Sequence, residues 1–66
     1  MNEVTLDEFK WLCLDCRDAL GYTQARMAAY LGVSRGALSH YETARNLPKK
    51  KDLPRIIKLL NKGLRK

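Results

Sequence analysis

Residues 21–42 read Gly21-Tyr22-Thr23-Gln24-Ala25-Arg26-Met27-Ala28-Ala29-Tyr30-Leu31-Gly32-Val33-Ser34-Arg35-Gly36-Ala37-Leu38-Ser39-His40-Tyr41-Glu42. Thr23 is a helix N-cap residue, and Tyr22 before it pairs with Met27 as a hydrophobic staple. A helix over about 24–31 follows, with Ala25, Met27, Ala28 and Leu31 as its apolar set. Gly32 stops it. After one intervening residue Ser34 caps a second helix over about 35–41, stapled by Val33 and Leu38, with Ala37, Leu38 and Tyr41 facing in. Two helices joined by so short a glycine turn must cross steeply, at about 90–120°. Ala28 is small where they approach. The face left pointing outward carries Arg35, Gly36, Ser39 and His40.

Working outward, Thr5-Leu6-Asp7-Glu8 is a capping box, and Val4 with Phe9 is its staple. The apolar positions Phe9, Leu12, Cys13, Cys16, Ala19 and Leu20 recur at helical spacing up to Gly21, which predicts a first helix over about 6–20. Trp11 and Phe9 are expected as core or edge residues, and Tyr30 lies off the main apolar face, where a partner could touch it. Beyond Glu42, residues 43–51 read as a loop with Asn46, Pro48 and three consecutive lysines. Pro54 suits the first turn of a last helix over about 54–61, burying Ile56, Ile57 and Leu60. Residues 62–66 form a basic tail. No segment alternates as a strand would. The expectation is a single all-α domain over 1–66.

Composition narrows the function classes. Sixty-six residues with 45% apolar content suit one small globular domain rather than a disordered tail. No apolar run approaches the ~18 residues that span a bilayer, and residues 1–10 show no signal peptide. The expected location is therefore the cytoplasm. Charge is segregated. Residues 1–22 hold five acidic and two basic side chains, a balance of −3, and residues 23–66 hold two acidic and eleven basic, a balance of +9. A half so basic calls for an anionic partner, nucleic acid first and an acidic membrane surface second. Cys13 and Cys16 have C-x-x-C spacing, but a structural zinc needs four ligands and only one distant histidine is present. Both cysteines fall on the buried stripe. No metal and no cofactor is expected. Nor is there a nucleophile–base set or a phosphate loop, so an enzyme is not expected.

The outward face of the second short helix fits groove chemistry. Arg35 can fork onto guanine O6 and N7. Gly36 has no side chain and leaves room for a base edge or a thymine methyl. Ser39 donates or accepts, and His40 reaches a base or a phosphate. Gln24 stands in the first turn of its helix, where phosphates bind. Ser34 caps the helix and can add a phosphate contact. Arg45, Asn46, Lys49, Lys50 and Lys51 follow the recognition helix and are placed to grip the backbone.

The run from Gly21 to Glu42 resembles the Cro/repressor, Xre-like helix-turn-helix family, which includes phage lambda-type repressors. The pattern T-Q-x-x-x-A…L-G-V-S…L-S…Y-E is met, and the resemblance covers about residues 6–61. It implies a compact lambda-repressor-like domain of four to five helices that reads the major groove. Gln24 matches a glutamine that contacts phosphate and steadies the first recognition residue. Ser34, Arg35, Gly36, Ser39 and His40 match groove-facing positions. Arg17 matches an arginine that pairs with the glutamate matched by Glu42. Relatives bind double-stranded DNA as symmetric dimers. A homodimer is expected here through helix four and the tail, with Leu60 and Leu64 as apolar contacts. Two departures stand out: the lysine run is inserted before Asp52-Leu53, and the family's fifth helix is missing or reduced. The resemblance points to a sequence-specific regulator. The alternative is an antitoxin-like or adaptor module that keeps the fold and binds a protein.

Overall fold

A computed structural model describes residues 4–65; residues 1–3 and Lys66, the end of the expected basic tail, lie outside it. Four helices follow in order: α1 Leu6–Leu20, α2 Gln24–Leu31, α3 Arg35–Glu42 and α4 Leu53–Leu64. Among the described residues there is no strand. The Cα radius of gyration is 10.5 Å, close to the value of about 11 Å for a folded chain of this length. The architecture of the described residues is all-α.

Each of the first three helices starts where a local cap dictates. Thr5 Oγ1 accepts from the Glu8 N–H at 3.0 Å, and Glu8 Oε1 accepts from the Thr5 N–H at 2.9 Å. Thr23 Oγ1 accepts from the Arg26 N–H, and Ser34 Oγ from the Ala37 N–H. Gly32 ends α2 at φ 71°, a left-handed conformation that costs glycine little. It lets the Val33 N–H reach back to the Ala28 carbonyl at 3.0 Å. At the end of α3 an alanine takes the same role: Ala44 sits at φ 60° while the Arg45 N–H bonds the His40 carbonyl at 2.9 Å.

The core is Phe9, Cys13 and Cys16 from α1, Met27, Ala28 and Leu31 from α2, Leu38 and Tyr41 from α3, and Ile56 and Leu60 from α4. Phe9 and Tyr41 meet edge to face at 5.3 Å. Ala19 and Ala25, counted with the apolar sets by spacing, are exposed, and so is more than half of Trp11. A methyl group adds too little apolar area to draw its face inward.

The last helix departs most from expectation. It starts at Leu53, one residue before the proline, and runs on through Lys62, Gly63 and Leu64. Gly63 does not end it. This glycine is buried against α1, and a Cβ there would strike Cys16 Sγ and come within 3.1 Å of Leu20 Cδ1. Close approach of two backbones, not a turn, is what this glycine provides. Leu60 is fully buried in the core, so it is not available to a dimer partner; Leu64 is partly exposed. Tyr30 is held within the chain, its hydroxyl donating to the Leu59 carbonyl at 2.7 Å. The lysine run is no long excursion either. The Lys49 carbonyl accepts from the Asp52 and Leu53 N–H groups, folding 49–53 into a turn that leads into α4.

Candidate nucleic-acid interface

The site is built on α3. Leu38 and Tyr41 anchor its inner side, and the Ser34 cap fixes its start. Arg35, Gly36 and His40 are then exposed, with Ser39 half-buried. Nothing lies within 4 Å of where a Cβ on Gly36 would stand, and its φ is not positive. The fold itself therefore has no need of glycine there, although glycine inside a helix costs about 0.5–1 kcal/mol relative to alanine.

Beside α3 runs the loop between it and α4. Arg45, Asn46, Lys49, Lys50 and Lys51 are all exposed on it, while Pro48 is buried beneath. A shallow groove of about 730 Å³ separates helix and loop, lined by Ser34, Gly36, His40, Asn46, Lys49 and Lys51 among others. Of the expected residues, Ser34, Gly36 and His40 stand on the helix wall of this groove and Asn46, Lys49 and Lys51 on the loop wall, while Gln24, Arg35, Ser39, Arg45 and Lys50 do not line it. Asn46 Nδ2 lies 3.4 Å from His40 Nδ1, and the Thr43 hydroxyl donates to the Ser39 carbonyl at 2.9 Å.

A polar cluster holds α3 from behind. Glu42 is only 8% exposed. Its carboxylate accepts from Arg17 Nε at 2.8 Å, Arg17 Nη2 at 3.3 Å and Gln24 Nε2 at 3.1 Å. Arg17 Nη1 also donates to the Tyr22 carbonyl at 3.4 Å. One buried carboxylate thereby joins the end of α1, the start of α2 and the end of α3. Gln24 turns its amide N–H to Glu42, at the opposite end of α3 from Arg35, so what it steadies is the C-terminal end of α3. Burial pushes the nearby Cys13 thiol up to about 12, with the charge of Glu42 and then Cys16 adding to it. Both cysteines are buried, free thiols. Among the described residues no group of three or more His, Cys, Asp or Glu side chains is placed to hold a metal ion.

One residue with a structural part in the site was not singled out from the sequence. Arg55 Nη1 donates to the Leu31 carbonyl at 2.9 Å, so a cation of α4 closes the C-terminal end of α2 beside the turn. The signal for it was an oddity. Arg55 stands in the first turn of its own helix, where a positive charge opposes the helix dipole. Its charge serves a different helix.

A family model described as helix-turn-helix matches residues 15–66. The chain belongs to the Cro/C1-type helix-turn-helix family. No curated protein and no solved structure matches it. Membership makes this helix-turn-helix chain a DNA-binding domain, with α2 and α3 as the two helices of the motif and α3 in the place of the recognition helix. No described helix is long and apolar enough to cross a membrane.

Proposed function

We propose that this helix-turn-helix protein is a sequence-specific transcription regulator that lays α3 in the DNA major groove, with Arg35, Gly36, Ser39 and His40 towards base edges. Gln24, Ser34, Arg45, Asn46, Lys49, Lys50 and Lys51 contact the phosphate backbone on either side. The observation that carries this reading is the outward face of α3. Arg35, Gly36 and His40 are exposed on it, a glycine stands where the fold asks for none, and Lys49 and Lys51 of the loop stand across one groove from Gly36 and His40. A duplex would meet bare backbone at Gly36, a guanidinium at one end and phosphate-neutralising lysines at the flank.

A single recognition helix reads few base pairs, so the protein acts as a dimer on half-sites about one helical turn, ~34–36 Å, apart. The dimer face is the apolar flank of α4 and the tail. Leu53, Pro54 and Ile57 line an open groove there with Val4, Lys58 and Asn61, and Leu64 is exposed farther along the helix.

The test is selection of bound sequences from a random duplex pool with the wild-type chain and with Arg35→Ala. A palindrome with half-sites one turn apart is expected from the wild type. Arg35→Ala is expected to relax one base position in each half-site, a discrimination loss of about 1–3 kcal/mol. No enrichment from the pool, or an Arg35→Ala loss equal for all sequences, refutes base reading by this helix.

A further inference from the structure

The outer faces of α1 and α4 carry opposite charges that the DNA reading leaves unused. At about 100° per residue, Asp7, Trp11, Asp15 and Asp18 share one stripe of α1, on the side away from Cys13 and Cys16. All four are exposed, with Glu8 exposed at the edge of the stripe. Trp11 keeps 54% of its surface open. Lys10 lies 4.6 Å from its ring centre and 3.8 Å from Asp7, offsetting one of these charges. On α4, Lys58, Lys62 and Arg65 form an exposed stripe on the side away from Ile56, Leu60 and Gly63. The two helices pack directly on each other at Cys16 and Gly63. The acidic and basic stripes therefore lie on opposite outer sides of one helix pair.

We propose that the acidic, Trp11-bearing face of α1 docks on the basic face of α4 of a second copy of this chain. Charge complementarity identifies the occupant: three carboxylates of one face meet three cations of the other, while either face against itself sets like charges together. Trp11 supplies the apolar centre, a large ring ringed by charge, as interface cores are built. The contact is heterologous. A pair keeps one free basic face, on one copy, and one free acidic face, on the other, so association extends end to end rather than closing. It adjoins the symmetric pairing surface of Ile57 and Leu64, sharing Lys58 with the groove there, but is centred on Lys62 and Arg65 on another side of α4. Because surface charges are screened over about 8 Å at physiological salt and about 3 Å at 1 M, the contact is salt-sensitive.

Trp11 is the sole tryptophan, so its emission reports cover of this face directly. The experiment is sedimentation velocity with emission spectra of the full chain, without DNA, from micromolar to millimolar concentration at low salt. The expected result is mass that grows with concentration and a matching blue shift, both lost at about 1 M salt. Asp15→Asn with Asp18→Asn, and Lys62→Gln with Arg65→Gln, each lose the shift while circular dichroism shows the helices intact. Mixing these two double variants restores about half of the shift, because the intact acidic face of one meets the intact basic face of the other and covers one Trp11 of the two in each mixed pair. Emission that does not move with concentration, or a shift that either double variant keeps in full, overturns the proposal. A symmetric dimer that leaves Trp11 uncovered overturns it too.

Discussion

Glu42 and Gly36 are opposite cases on α3, one buried in a hydrogen-bonded cluster and the other exposed with open space around it. Glu42 is buried and takes three hydrogen bonds from Arg17 and Gln24, while the Arg17 side chain is 29% exposed. Removing either member of the pair has unequal consequences. Arg17→Ala strands a buried carboxylate with Gln24 alone, whereas Glu42→Ala frees an arginine that can turn to water. Arg17→Ala is expected to destabilise by about 3–5 kcal/mol, and Glu42→Ala by about 1.5–3 kcal/mol, the range for hydrogen bonds to a charged group. Urea unfolding of both variants checks the order, and a larger loss for Glu42→Ala refutes it. Gly36 behaves in the opposite way. With open space around it, Gly36→Ala is expected to stabilise the fold by about 0.5–1 kcal/mol while weakening binding to the selected operator. A variant that is more stable and binds as well as wild type removes the close-approach role of Gly36.

At the scale of elements, the sequence was most legible where structure is local. The bounds of α1, α2 and α3 follow from caps and staples acting within four residues, so Thr5, Thr23, Ser34, Gly21 and Gly32 mark them to within a residue. The exposed face of α3 was legible for the same reason, since helical period alone places Arg35, Gly36 and His40 outward. Non-local contacts were not. Gly63 resembles a helix stop in sequence, yet it is the point where α4 closes on α1. The Gln24–Glu42 and Arg55–Leu31 bonds span 18 and 24 residues and leave no trace in periodicity. The depth of Leu60 likewise depends on α4 lying against α1, which no local rule states. Gly63→Ala tests this reading of α4. Helix propensity favours the change by about 1 kcal/mol, but crowding Cys16 and Leu20 costs about 1–3 kcal/mol. The net expectation is destabilisation, rescued when Cys16→Ala is added to make room. If Gly63→Ala alone raises the unfolding midpoint, the glycine is no packing residue.

Over the whole molecule, the charge division of the chain becomes a division of surfaces. The carboxylates of α1 line its outer side, and Arg35, Arg45 and Lys49 to Lys51 stand along α3 and the loop that follows. A dipolar protein of this kind is turned by the field of the duplex before contact, with its basic groove forward. The lysine turn then decides how much of the affinity is counterion release. Each phosphate neutralised contributes about 0.9 to the slope of log K against log salt on duplex DNA. Changing Lys49, Lys50 and Lys51 to glutamine is therefore expected to flatten that slope by up to about 2.7 and to weaken selected and random duplexes alike. Base preference in the selection experiment should stay as it was if, as proposed, the turn meets the backbone and α3 the bases. Binding isotherms over a salt series separate the cases. An unchanged slope would mean that the three side chains remain solvated in the complex, leaving Arg45 and the two helix N-termini to hold the phosphates. A slope that flattens together with a changed base preference would mean that the turn itself enters the groove.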